Sequence, residues 1–178
     1  MQLETIVRSK TVQLDVAATL PPNAQATPPV RFDGKTVIVT GAGAGLGRAY
    51  ALMYGRLGAN VVVNDVNEKA VPAVCKEVEA GTQRFASQGI RANYQRSVAG
   101  GKAASVICSA EDGEKIVKAA LDAFGGVHVL VANAGVLRDR SFTAMTEQEW
   151  DTVIAVHLMG TYKVCIFLVF VMCVEGLT

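Results

Sequence analysis

The stretch Thr40-Gly-Ala-Gly-Ala-Gly-Leu-Gly47 sets four glycines between an apolar run and a segment of helical period. Such a turn suits anion binding. Backbone N–H groups at a helix start carry the positive end of the helix dipole, and a missing Cβ lets a phosphate approach them. Gly41 is placed to make the tight turn, Gly45 to let a pyrophosphate touch the backbone, and Gly47 to let the helix pack on the strand; Thr40 and Leu46 complete the candidate cradle. The spacing T-G-x-x-x-G-x-G differs from the commoner G-x-G-x-x-G, and Arg48 after Gly47 breaks the G-K-[ST] ending of a nucleoside-triphosphatase loop. Asp65 stands about twenty residues further on, where a carboxylate accepts hydrogen bonds from both ribose hydroxyls of a dinucleotide. Its charge repels a 2′-phosphate, which favours NAD over NADP. The alternative is a purely structural turn with Asp65 as an ordinary strand-end residue.

These groups need a strand before the glycines, a helix after them, and a second strand ending at Asp65. The sequence supplies all three. "TVIVT" (Thr36 to Thr40) is the first strand, Gly45 to Leu57 the first helix, and "NVVVND" (Asn60 to Asp65) a second strand whose unalternating apolar run predicts burial on both faces. Val71, Val74 and Val78 mark one stripe of a second helix, and "KAASVICS" is a third strand. Ser109 with Asp112 has the spacing of a capping box, followed by a helix whose inner face carries Ile116, Val117, Ala120, Leu121 and Phe124 and which Gly125 and Gly126 end. "VHVLVANAG" is a fourth strand with its exit turn. Thr146 with Glu149 repeats the capping signature, and Trp150, Val153, Ile154 and His157 fall at helical spacing beyond it. Alternating strands and helices define an α/β fold with a mostly parallel, doubly wound, Rossmann-like sheet. Residues 1–31, rich in proline toward their end, read as a linker or tail, and residues 81–101 as a long surface loop in the dinucleotide-binding domain of residues 32–163.

Composition narrows the function. Seventeen Lys and Arg against sixteen Asp and Glu leave a formal charge of +1, without the one-signed basic field of nonspecific nucleic-acid binding. The four cysteines, Cys75, Cys108, Cys165 and Cys173, have no C-x-x-C spacing, which fits a reducing compartment and no metal site.

The residues resemble the short-chain dehydrogenase/reductase family through Thr40-Gly41-x-x-x-Gly45-x-Gly47, Asp65 and the "NAG" of Asn133, Ala134 and Gly135. Within it, "NVVVND", "EDGEKIVKAALDAFGGVHVLVANAGVLRDRSF" and "VHLMGTYK" look like the dehydrogenase units of peroxisomal multifunctional β-oxidation enzymes, notably the fungal type. The resemblance implies NAD as cofactor, a 3-hydroxyacyl-CoA as substrate, peroxisomal location, and either a homodimer or further domains of a multifunctional chain as partners. It implies that Asn133 stabilises the sheet and cofactor pocket, that Ala134 and Gly135 line the nicotinamide side, and that Ser109 stands near the adenine where an aspartate is usual. His157 occupies the asparagine position of an N-x-x-G helix motif, as a catalytic candidate beside Asn133 or as a satisfied core residue. The C-terminal "GLT" is not an S-K-L address.

Hydride transfer from an alcohol also needs a base, which the family draws from Tyr-x-x-x-Lys. Tyr50, Tyr54, Tyr94 and Tyr162 are each followed four residues later by something other than lysine. The expectation is an incomplete dehydrogenase domain without turnover, in which residues 164–178 and the long loop derive from unspliced or mispredicted coding sequence. The apolar run from Val164 to Val174 would span about 16 Å as a helix, short of the roughly 30 Å of a bilayer core, so a membrane anchor is not expected.

Overall fold

The computed structural model describes residues 30–81 and 101–175. The tail, most of the long 81–101 loop, and residues 176–178 therefore lie outside the described residues. The rest forms a four-stranded parallel sheet of β1 (Thr36–Thr40), β2 (Asn60–Asp65), β3 (Ala103–Ile107) and β4 (Val129–Val131) in the order β3-β2-β1-β4. It is Rossmann-like, as the alternation of elements predicts.

Strand alternation divides the core. Val37 and Val39 of β1 with Val61 and Val63 of β2 face one side, where α1 (Gly45–Arg56) and α2 (Ala70–Glu79) contribute Ala51, Leu52, Val71, Val74 and Val78. Ile38 and Val62 face the other side, with Ile116, Val117 and Ala120 of α3 (Gly113–Phe124) and Val164 and Val171 of α5 (Gly160–Glu175). Helices thus cover both faces, which explains why β1 and β2 read as unbroken valine runs. From β1 the chain moves outward to β2 and β3, then returns across to β4 on the opposite side. The carboxyl ends of β1 and β4 consequently flank a topological switch point, the place where open α/β sheets bind their ligands.

Two capping expectations separate here. Thr146 and Glu149 do form a reciprocal box at the start of α4 (Glu147–Ile154), each side chain accepting from the other's backbone N–H. Ser109 and Asp112 do not. Asp112 precedes α3 without a side-chain cap, and the Ser109 hydroxyl instead accepts from Glu111 N–H at 3.3 Å, because the chain makes a local turn at Ser109 and the helix begins only at Gly113.

The segment after α4 also departs from expectation. Residues Ala155–Met159 form one π-helical turn that joins α4 to α5. Within α4 Trp150 is exposed and Val153 and Ile154 are half-buried, and His157 in the wider turn is exposed, so the four do not form one buried stripe; Trp150 packs edge-on against Phe142. The helix runs unbroken from Glu147 to Val174, 28 residues, about 42 Å. This corrects the length estimate made from Val164–Val174 alone: by length and composition the continuous helix is long and apolar enough to cross a membrane. Its inner face is already occupied, since Val164 and Val171 are buried in the core shared with α3.

Candidate dinucleotide site

The glycine turn is held by the strands on either side of it. Ala42 N–H donates to the Asn64 carbonyl at 2.8 Å, and Gly43 N–H donates to Asp65 Oδ2 at 2.9 Å. Asp65 Oδ1 accepts from Asn67 N–H, also at 2.9 Å. The carboxylate therefore lies against the glycine turn with one backbone donor on each oxygen, and each oxygen retains acceptor capacity. A Cβ on Gly43 would stand 2.8 Å from Asp65 Oδ2, so glycine is what lets acid and turn meet.

The other glycines divide into packed and open positions. At Gly41, φ is +64° and a Cβ would meet the Ala134 Cα at 2.8 Å. At Gly47 a Cβ would stand 2.1 Å from the Gly41 carbonyl oxygen and 2.5 Å from Asn133 Nδ2, a contact no side chain tolerates. Gly45, at φ +54°, has nothing within 4 Å of its Cβ direction. Ala44, Gly45 and Leu46 are exposed, and Ala44 gives α1 no side-chain cap. The first-turn N–H groups of an uncapped helix lack intrahelical partners, so the open rim of the turn presents donors to solvent beside the Asp65 carboxylate. Arg48 points to another element, pairing with Glu77 of α2.

The Asn-Ala-Gly turn after β4 locks onto the same place. Thr40 Oγ1 accepts from both Asn133 N–H and Ala134 N–H at 3.1 Å. Asn133 Nδ2 donates to the carbonyls of Thr40 at 3.0 Å and Gly41 at 3.2 Å. These bonds join the exits of β1 and β4 across the switch point. Gly135 continues the pattern: a Cβ there would lie 2.5 Å from His157 Cε1. His157 Nε2 stands 3.0 Å from both the N–H and the carbonyl oxygen of Val136, so the ring accepts or donates there according to its tautomer. His157 is exposed and braces the turn from the π-helical segment, which sets aside the core-residue reading.

Ser109, just after β3, donates to Glu111 Oε1 at 3.4 Å and accepts from Glu111 N–H at 3.3 Å. Its neighbour Cys108 is half-buried, and burial raises its thiol pKa. Sequence reasoning passed over Asn64. Buried in β2, it accepts from Ala42 through its carbonyl while its amide donates to the carbonyls of Val106 at 3.2 Å and Cys108 at 3.1 Å. It ties the glycine turn to the exit of β3. The available signal was a polar residue inside an otherwise apolar two-face-buried strand, where an amide survives only with partners. His128 was likewise passed over; its Nδ1 accepts from Thr36 N–H at 3.0 Å and sets the start of β4 against β1.

A glycine-rich turn at the switch point of a parallel sheet, with an acid at the end of the neighbouring strand, defines the Rossmann-like class of α/β protein. The profile of the short chain dehydrogenase family matches residues 35–175, and the chain belongs to that family. The chain is 47% identical over 136 residues to the mouse (Mus musculus) peroxisomal multifunctional enzyme type 2, covering 76% of this chain and 17% of that protein. It is 41% identical over 143 residues to the peroxisomal hydratase-dehydrogenase-epimerase of Neurospora crassa, covering 75% of this chain and 14% of that protein. The crystal structure of a short chain dehydrogenase from Mycobacterium avium superposes with a TM-score of 0.64 at 36% identity, over 79% of this chain and 46% of that one. The chain thus spans a small part of these multifunctional relatives and under half of the solved dehydrogenase.

Proposed function

We propose that this chain carries the dinucleotide-binding part of an NAD-dependent 3-hydroxyacyl-CoA dehydrogenase unit of the peroxisomal β-oxidation type. The observation that carries the reading is the Asp65 carboxylate hydrogen-bonded to Gly43 beside the open backbone of Gly45. A pyrophosphate would meet the first-turn donors of α1 around Gly45 and Leu46, and Asp65 would take the adjoining ribose. The cofactor supplies hydride chemistry when bound. The chain's own residues position it: Asn133 and Thr40 hold the floor of the crevice, and Ala134, Gly135 and His157 form the wall beyond β4. NAD is favoured over NADP because a 2′-phosphate would face the Asp65 charge. The relatives' names support the peroxisomal setting and a multifunctional chain; the acyl-CoA substrate follows from the family resemblance.

These residues alone bind without turnover, because no tyrosine in the sequence has a lysine four positions on. The test is isothermal titration of the purified chain with NAD, NADP and acetoacetyl-CoA. NAD binds more tightly than NADP, and Asp65→Ala weakens NAD by about ten-fold, the loss of charge-assisted hydrogen bonds to a ribose. Equal NAD affinity before and after that substitution overturns the ribose assignment. Formation of NADH from a 3-hydroxyacyl-CoA by the unmodified chain overturns the absence of turnover.

A further inference from the structure

We infer that the exit of β3 holds the base of the dinucleotide by apolar contact alone, so that the purine's 6-substituent is not selected and a hypoxanthine dinucleotide binds as well as NAD. The inference rests on the proposed reading of the glycine turn and Asp65. Strand order supplies the place. With the turn at the end of β1 and Asp65 at the end of β2, the next exit outward is that of β3, about 5 Å further across the sheet. A base carried on a ribose at Asp65 and pointing away from the turn meets that exit. Asp65 and Ile107 are register partners, so their side chains stand on the same face. Ile107 is 38% exposed, and Val66, directly after Asp65, is 70% exposed. Two uncovered aliphatic side chains therefore flank the acid.

The polar groups of the exit are engaged elsewhere. The carbonyls of Ile107, Cys108 and Ser109 accept from Lys115 Nζ at 3.3 Å, Asn64 Nδ2 at 3.1 Å and Asp112 N–H at 3.0 Å. The Ser109 hydroxyl gives its proton to Glu111 Oε1. Glu111 and Asp112 line a groove between α3 and α5 together with Lys163, whose ammonium is 4.0 Å from Glu111 Oε2. That groove lies on the face opposite Asp65: α3 and α5 cover the Ile38 and Val62 side, whereas Asp65 continues the alternation of Val61 and Val63. At position 108 the side chain is a thiol, with Sγ 3.5 Å from Asn64 Nδ2. The exit thus offers a base no charged acceptor. The 6-amino group of adenine is a donor, and a 6-oxo group in its place is an acceptor. A site built on a charged acceptor rejects the oxo analogue, because the acceptor is left unpaired, whereas an apolar surface separates such isosteres poorly.

The test is isothermal titration of the purified chain with NAD and with nicotinamide hypoxanthine dinucleotide. Their dissociation constants agree within about three-fold, the discrimination expected of an apolar contact. Cys108→Asp supplies an acceptor, with one carboxylate oxygen taking Asn64 Nδ2 and the other open to the base, and raises the preference for NAD to about ten-fold. A preference for NAD above about ten-fold in the unmodified chain overturns the inference and leaves the dinucleotide site standing. So does an unchanged ratio in a Cys108→Asp chain whose circular dichroism matches the parent. Binding of neither dinucleotide overturns the site itself, and the inference with it.

Discussion

The glycine turn after β1 and the helix that closes the described chain are both monotonous in sequence, one in glycine and the other in apolar side chains. In the turn, each position meets different atoms. Gly41 faces Ala134, Gly43 faces Asp65, Gly47 faces the Gly41 carbonyl, and Gly45 faces nothing. In α5 the same residue types appear on the buried and the exposed sides: Val164 and Val171 inside, Val169 and Val174 outside. The difference is one of contact range. A glycine is required by hard-sphere contact with a specific neighbour, whereas a valine is accepted by any apolar surface, so the turn encodes its environment residue by residue and the helix does not.

The comparison breaks most readily at Gly47. Gly47→Val forces a side chain onto the Gly41 carbonyl and the Asn133 amide, and the loss should exceed about 3 kcal/mol in urea unfolding, enough to leave little folded protein. A Val169→Ala control on the outer face of α5 should stay within about 1 kcal/mol of the parent in monomeric conditions. Next comes Asn133→Ala, which leaves the Thr40 and Gly41 carbonyls without the amide; about 2 kcal/mol of destabilisation is expected by thermal denaturation.

Gly135→Ala sharpens the comparison, because its clash is with a side chain able to move. The single substitution should cost about 1–2 kcal/mol, and adding His157→Ala should recover at least half of it. Strict additivity in that double-mutant cycle would show that the histidine does not brace the turn. Gly45→Ala is the mildest for folding, about 1 kcal/mol from its positive φ, while the added methyl on the open rim should weaken NAD binding more than it weakens the fold.

Cysteine chemistry separates α5 from the core cluster that Cys75 of α2 shares with Ala42 of the glycine turn, with the smallest effect on the fold. Burial, and secondarily Glu79, pushes the Cys75 thiol up to about 11 from an ordinary 9.0, whereas Cys165 and Cys173 are exposed. Thiol labelling of the native protein near pH 8 should therefore spare Cys75 until the chain is unfolded. The raised value has a defined sign for stability. The unfolded thiol ionises first, so the contribution is complete below about pH 9 and is lost as pH rises toward about 11. A Cys75→Ala variant should show a shallower alkaline decline in urea titrations.

Much of the site was legible because its logic is local. The strand, the glycine spacing and the distance to Asp65 all follow from backbone sterics and the reach of one βαβ unit. Asn133 entered by resemblance, and its bonds to Thr40 and Gly41 across 93 and 92 residues depend on β4 lying beside β1. Asn64 was hidden in a valine run, since period counting treats a polar residue as a break rather than as a tether. The Ser109 capping box failed because spacing alone does not fix the turn that precedes a helix. The π-helical turn at Ala155–Met159 left no trace in the apolar pattern, which assumes a constant 3.6-residue period.

By itself the chain's order of residues determined the alternation of strands and helices, the open and closed positions of the glycine turn, and the placement of an acid at the end of β2. Those depend on excluded volume and on contacts within a few dozen residues. Only the tertiary structure decided that β4 returns beside β1, that His157 stands over Gly135, and which stripe of α5 remains uncovered. Burial of apolar surface is non-directional, and an all-apolar helix acquires an inside and an outside only when a neighbour such as α3 takes one face.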